Sequence, residues 1–173
     1  MEIITAAQVA FQRPLFRRGL ILAAGTVLLD QITKLWIVYG LALPDRFGNR
    51  IELSSIFDLT YTENRGISFG LFAGGMVSRV ILSVLALVIS GFLLRWLAKI
   101  ERPVTAAGAG IILGGAIGNL IDRVAYGYVV DFLDFSGLGF AYIFNVADAA
   151  INIGVALLLL DALVLEKRKG GEG

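Results

Sequence analysis

Asp131 and Asp148 are the residues of this chain with the most chemistry to offer. Each is a carboxylate set among apolar neighbours, in Tyr128-Val129-Val130-Asp131-Phe132-Leu133 and in Phe144-Asn145-Val146-Ala147-Asp148-Ala149-Ala150. A carboxylate within a membrane span costs ~2.5–3.5 kcal/mol on insertion scales, so by default it marks a functional site. The chain has no His and no Cys, which removes thiolate nucleophiles and the usual ligands of zinc and transition metals. An all-oxygen Mg or Ca site stays open. Two carboxylates in close contact cannot easily both ionise, so such a pair shares a proton. The ionised member can then take a proton from water while the other hydrogen-bonds a carbonyl oxygen. Sequence leaves open which member does which.

Composition says what must hold them. Of 173 residues, 57% are hydrophobic and 17% charged, and mean hydropathy is +0.81. A soluble domain is ~45–50% apolar and ~25% charged. The chain therefore reads as one compact membrane domain over residues 1–173, with no room for a second. A net charge of +1 gives no electrostatic case for nucleic acid.

Four apolar stretches are long enough to cross a bilayer core, which takes ~20 residues: about 19–39, 76–97, 104–121 and 143–165. Arg17-Arg18 ahead of the first looks like the start of a secretory signal. The apolar run continues past Asp30 and Lys34 to Tyr39 without a small-residue cleavage site, so an uncleaved first helix is expected. Arg13, Arg17 and Arg18, then Arg95, Lys99 and Arg102, then Lys167, Arg168 and Lys169 all fall on one side. By the positive-inside rule that side is the cytoplasm, with both termini inside and the loops 40–75 and 122–142 outside. In the first of these, Ile51-Glu52-Leu53 and Asp58 to Glu63 alternate apolar and polar residues behind turn signals at Pro44-Asp45 and Phe47-Gly48-Asn49. A small outer sheet over about 44–70 follows.

Direction brings the polar residues together. Span one runs outward and puts Asp30 and Lys34 roughly 18–24 Å beyond Arg18 at helical rise. Span three also runs outward, to Asn119, Asp122 and Arg123; span four begins outside with Asn145, Asp148 and Asn152. Three helices thus carry polar groups to one layer. Asp30 and Lys34 stand i,i+4, acid first, the favourable order for a helical ion pair. Arg123 is read either as snorkelling at a helix end or as part of the site. Gly110, Gly114 and Gly118, with Gly115 beside them, suggest close helix packing. Asp131-Phe132-Leu133-Asp134 has the form of a DxxD metal site but lacks a second acidic cluster, and Asp161 lies far from the outer layer and reads as structural or interfacial.

Five blocks then resemble lipoprotein signal peptidase, the bacterial signal peptidase II family of membrane aspartyl proteases. They are Asp30-Gln31-Ile32-Thr33-Lys34; Asn64-Arg65-Gly66-Ile67-Ser68-Phe69-Gly70; Gly114 through Arg123; Val129-Val130-Asp131-Phe132; and Phe144-Asn145-Val146-Ala147-Asp148. They occur in the family's order and span nearly the whole chain. The resemblance implies Asp131 and Asp148 as the catalytic pair, with Asn64, Gly66, Asn119, Arg123 and Asn145 lining the substrate site. Asp30 and Lys34 would support it. It implies an α-helical membrane protein of four transmembrane helices with an extracytoplasmic β-cradle between helices 1 and 2. It further implies no metal or other cofactor, a monomer in the bacterial inner membrane among its lipids, and an active site near the outer face. The implied substrate is a prolipoprotein whose lipobox Cys carries diacylglycerol, cleaved just before that Cys. The alternative class is a small transporter or proton relay, since intramembrane Asp and Lys also serve ion pathways. Against it stand an inner half nearly free of polar groups and no internal repeat.

Overall fold

The computed structural model describes residues 8–66, 75–140 and 142–170. Four long helices dominate: α1 Pro14–Leu35, α2 Met76–Leu97, α3 Pro103–Ala125 and α4 Val146–Gly170. All four are long and apolar enough to cross a membrane. Proline opens α1 and α3, where its fixed φ suits the first helical turn and its missing N–H is no loss. Beyond Leu35, α1 loosens into a π turn at Trp36–Gly40.

The glycines of α3 decide how the bundle packs. A side chain at Gly110 would overlap the backbone of Gly19, and a Cβ at Gly114 would lie 2.5 Å from the Ala23 carbonyl. On the adjacent face, Gly115 meets the Ala147 carbonyl of α4 in the same way. Small residues thus bring α1 and α4 against α3 backbone to backbone, as small-xxx-small faces do in lipid. The third helix becomes the centre of the bundle, with α1, α2 and α4 packed around it, while α1 and α2 barely touch. Its core holds Phe16, Ala23, Leu93, Leu97, Ala109 and Leu113. Leu28, Leu29, Val84, Val88 and Leu160 are exposed, as side chains facing lipid would be.

A four-stranded antiparallel sheet, ordered β1-β2-β3-β4, lies at the end of the bundle where α1 finishes. Its strands are β1 Arg50–Glu52, β2 Asp58–Asn64, β3 Val129–Asp134 and β4 Ile143–Phe144. The hairpin β1–β2 is the segment expected between the first two spans. Its expected tail, Ile67-Ser68-Phe69-Gly70, lies outside the described residues. The sheet is wider than the alternating pattern suggests, because β3 and β4 from the loop between α3 and α4 complete it. Val129, Val130, Asp131 and Phe132 are all buried, so this strand has no polar face to alternate. Two span limits shift accordingly. The third helix runs on to Ala125 rather than 121, and the fourth starts at Val146 rather than 143 because Ile143–Phe144 pairs with β3. A second apolar cluster of Ile37, Leu43, Leu59, Val130 and Phe132 fastens the sheet to the end of α1.

Candidate active site

Asp131 comes from the middle of β3 and is 2% exposed. Asp148 comes from the first turn of α4. Asn145 joins them. It is the residue before α4, and its Oδ1 accepts the Asp148 N–H at 2.9 Å while Asp148 Oδ2 accepts the Asn145 N–H at 3.4 Å. This reciprocal arrangement is a capping box with Asp in place of the usual Glu or Gln. Asn145 Nδ2 then donates to Asp131 Oδ1 at 2.7 Å and to Asn119 Oδ1 at 3.2 Å. The spacing of Asn145, Asp148 and Asn152 therefore does not describe one helical face. Asn145 stands outside the helix, and exposed Asn152 donates to the Asp148 carbonyl rather than joining the cluster.

Each carboxylate has a further amide. Asn119 Nδ2 donates to Asp148 Oδ1 at 2.7 Å, and Asn64 Nδ2 donates to Asp131 Oδ2 at 2.9 Å. Both amides are held in orientation from behind. The Asn119 oxygen accepts from Lys34 Nζ, which leaves its NH2 for Asp148. The Asn64 oxygen accepts the Gly66 N–H at 3.1 Å, which leaves its NH2 for Asp131. Gly66 has φ +135°, and a Cβ there would collide with the Ser78 hydroxyl, so the turn that aims Asn64 needs glycine. Burial, reinforced by the negative charge of Asp148, pushes the Asp131 carboxyl from 3.8 up to about 6, against the pull of the hydrogen bonds from Asn64 and Asn145.

Beneath the pair lies a buried ion cluster. Lys34 Nζ contacts Asp30 Oδ2 at 2.8 Å and Asp122 Oδ2 at 2.9 Å. The expected i,i+4 pair is present, with a second carboxylate on the same ammonium. Sequence position places Asp122 in the polar layer without showing its role, and it does not distinguish Gln31, which donates to both Asp30 and Asp122. A buried polar residue one turn from an expected site residue was the signal for each. Among the described residues, half-buried Arg123 donates only to the Asn119 carbonyl, at 3.4 Å, and forms no ion pair. Its guanidinium lies within electrostatic reach of Asp148, Asp131 and Asp122. That leaves it donors for a substrate carbonyl or anion.

The other acids are occupied elsewhere. Asp134 accepts from the Thr60 hydroxyl at 2.7 Å and the Ser136 N–H at 2.9 Å. Thr60 holds its carboxyl below the usual range. It binds the sheet and its turn rather than completing a DxxD site. Asp161 ties the far end of α4 to Arg102 at 2.6 Å and to Thr105 at 2.5 Å, the structural part expected of it.

The model of the signal peptidase (SPase) II family matches residues 22–164. Among curated relatives, the lipoprotein signal peptidase of Caulobacter vibrioides is 49% identical over 149 residues, covering 86% of this chain and 88% of that protein. That of Sphingopyxis alaskensis is 42% identical over 160 residues, covering 91% of each. A bacterial membrane enzyme solved by the in meso method at 2.3 Å superposes with a TM-score of 0.75 at 28% identity, over 88% of this chain and 91% of that one. The family match begins in the first turns of α1 and ends in α4, so every residue of the cluster lies inside it: this chain belongs to the signal peptidase (SPase) II family.

Proposed function

We propose that the chain removes signal peptides from prolipoproteins as an aspartic endopeptidase, with Asp131 and Asp148 as its catalytic pair. The observation that carries the pair is Asn145, whose amide binds Asp131 while its backbone and carbonyl oxygen cap Asp148. A single residue thus binds both carboxylates, that of Asp131 through its side-chain amide and that of Asp148 through its backbone N–H. The relatives are named lipoprotein signal peptidases, and the family match leaves the transporter reading without support.

In the proposed mechanism, Asp131 carries the shared proton, as its raised pKa favours, and Asp148 is the base. Asp148 sits in the first turn of α4, where the helix N-terminus favours negative charge. It takes a proton from water as the water oxygen attacks the scissile carbonyl carbon. The Asp131 hydroxyl donates to the carbonyl oxygen as it gains charge. Collapse of the tetrahedral intermediate breaks the C–N bond, and the amine leaves with a proton from the pair. Asn119 and Asn64 hold the carboxylates, and Arg123 and the sheet meet the substrate backbone. The substrate Cys carries diacylglycerol, and cleavage falls just before it. The site lies at the outer end of the bundle with both termini in the cytoplasm, where the Lys/Arg bias places them.

The test is cleavage of a diacylglyceryl-modified prolipoprotein and its unmodified form by the purified chain, beside a proton-flux assay in liposomes. Cleavage of the modified form alone, with no flux, is the expected result. Flux without cleavage would return the transporter reading.

A further inference from the structure

Asp122 is a fully buried carboxylate, 1% exposed, to which the proposed chemistry gives no task. Its bonds resemble those of Asp30, 0% exposed, to a degree that suggests one. Asp122 Oδ2 accepts the Val130 N–H at 3.1 Å, and Val130 is the residue before Asp131. Asp30 Oδ1 accepts the Ala147 N–H at 2.9 Å, and Ala147 is the residue before Asp148. Lys34 joins the two acids, and Gln31 Nε2 bridges them again, at 3.1 Å to Asp30 and 3.0 Å to Asp122. The ammonium also donates to Asn119 Oδ1 at 3.2 Å, and Asn119 holds Asp148.

Resting on the reading of Asp131 and Asp148 as the catalytic pair, we propose that Asp122 is a positioning residue for it: with Asp30 across Lys34, it clamps β3 and α4 to one another at the residue preceding each catalytic Asp.

The fold gives such a clamp a reason. Asp131 rides on a sheet and Asp148 on a helix of the bundle, so their separation depends on how two different layers meet. The paired edge of β3 does not supply the link, because β4 partners only Leu133 and Asp134. At Val130 the strand's free N–H is taken by a helix carboxylate instead. A buried ion pair does not by itself argue for stability, since desolvation offsets its attraction unless every remaining lone pair and proton is satisfied. Here each oxygen of Asp30 and Asp122 accepts at least one hydrogen bond, and the ammonium donates to Asp30 and Asn119 while lying 2.9 Å from Asp122. A rigid frame of that kind suits a pair that must share one proton, where about 1 Å of misplacement can cost on the order of 10²-fold in rate.

The experiment measures kcat and KM of the full-length chain in lipid nanodiscs on a diacylglyceryl-modified prolipoprotein, for Asp122→Asn, Asp122→Glu, Asp161→Asn and Asp131→Asn. Asp122→Asn keeps the shape and an acceptor but loses the charge facing Lys34; Asp122→Glu keeps the charge but moves it by a methylene. Positioning predicts that both lose kcat on the order of 10²-fold, with KM within about twofold of wild type and the loss unchanged after correction for folded enzyme. Asp161→Asn, which breaks a half-buried ion pair remote from the site, should keep wild-type kcat. A corrected kcat within about twofold of wild type in either Asp122 variant overturns the proposal. So does failure of both variants to fold, which would make Asp122 a requirement of the fold alone. Turnover by Asp131→Asn would instead remove the catalytic pair itself, whatever Asp122 does.

Discussion

A carboxylate as deeply buried as Asp131 is held there by amides, not by a cation. Asn64 and Asn145 supply one hydrogen bond to each of its oxygens. Asp131→Asn and Asp148→Asn keep the side-chain shape but remove the acid or base proposed to activate water. Each should lower prolipoprotein cleavage by about 10²–10⁴-fold or more while the protein still inserts and folds. Asp134→Asn, at a side chain that hydrogen-bonds Thr60 and its own turn, should retain most activity. Near-normal turnover in either member of the pair would take it out of the mechanism. Protonation gives a second check. The folded-state pKa of Asp131, about 6, lies above its ordinary 3.8. Between those values the folded chain holds a proton that the unfolded chain has released, so stability falls as pH rises through the window and then levels off. Asp131→Asn has no such proton. The melting temperature of wild type minus that of Asp131→Asn should therefore decline from about pH 4 to about pH 6. A difference that stays flat with pH would mean that Asp131 is already ionised in the folded chain at the acid end.

At the scale of elements, glycine placement on α3 governs whether the site forms. Asp30 reaches its partners only because α1 lies against Gly114 and Gly118, and a Cβ at Gly118 would lie 2.6 Å from Asp30 Oδ2. Gly114→Ala puts a methyl 2.5 Å from the Ala23 carbonyl and should cost about 1–3 kcal/mol, as overpacking does, with loss of activity. Gly25→Ala, with nothing within 4 Å, should leave activity unchanged and hold or raise stability, by up to about 1 kcal/mol. Equal melting temperatures for the two variants would discount the glycine face. These elements also mark how far the sequence could be read. Spans, their order and the convergence of three helices followed from hydropathy and direction, since each is a property of a continuous stretch. The capping box did not, because Asn145 and Asp148 fit a helical face equally well until the helix start is known. Nor did β3 and β4: a strand buried on both faces has no alternation, and a two-residue strand exists only through its partner. The clamp at Val130 was beyond reach for the same reason, since it joins a backbone N–H to a side chain on a different element.

For the whole molecule, the proposed chemistry calls for no metal ion. Without His or Cys, and with Asp134 occupied by Thr60 and Ser136, cleavage should persist in excess EDTA. Chelator-sensitive activity restored by Mg²⁺ would revive an oxygen-ligand site at Asp131. Orientation is the larger question, because it decides from which side a substrate arrives. Arg13, Arg17, Arg18, Arg95, Lys99 and Arg102 gather at the end of the bundle opposite the sheet, and Arg13 donates to the Ala98 carbonyl there at 2.5 Å. Positive charge resists transfer across the membrane during insertion, so that end should stay in the cytoplasm and the sheet should face outward. The chain has no Cys, so single substitutions report without background. Ser55→Cys, in the exposed turn between β1 and β2, should react with an impermeant maleimide on intact spheroplasts. Glu101→Cys, in the exposed turn between α2 and α3, should react only after the membrane is opened. The reverse pattern would put the proposed catalytic pair on the cytoplasmic side, away from signal peptides already carried across, and would require the substrate to be bound before its export.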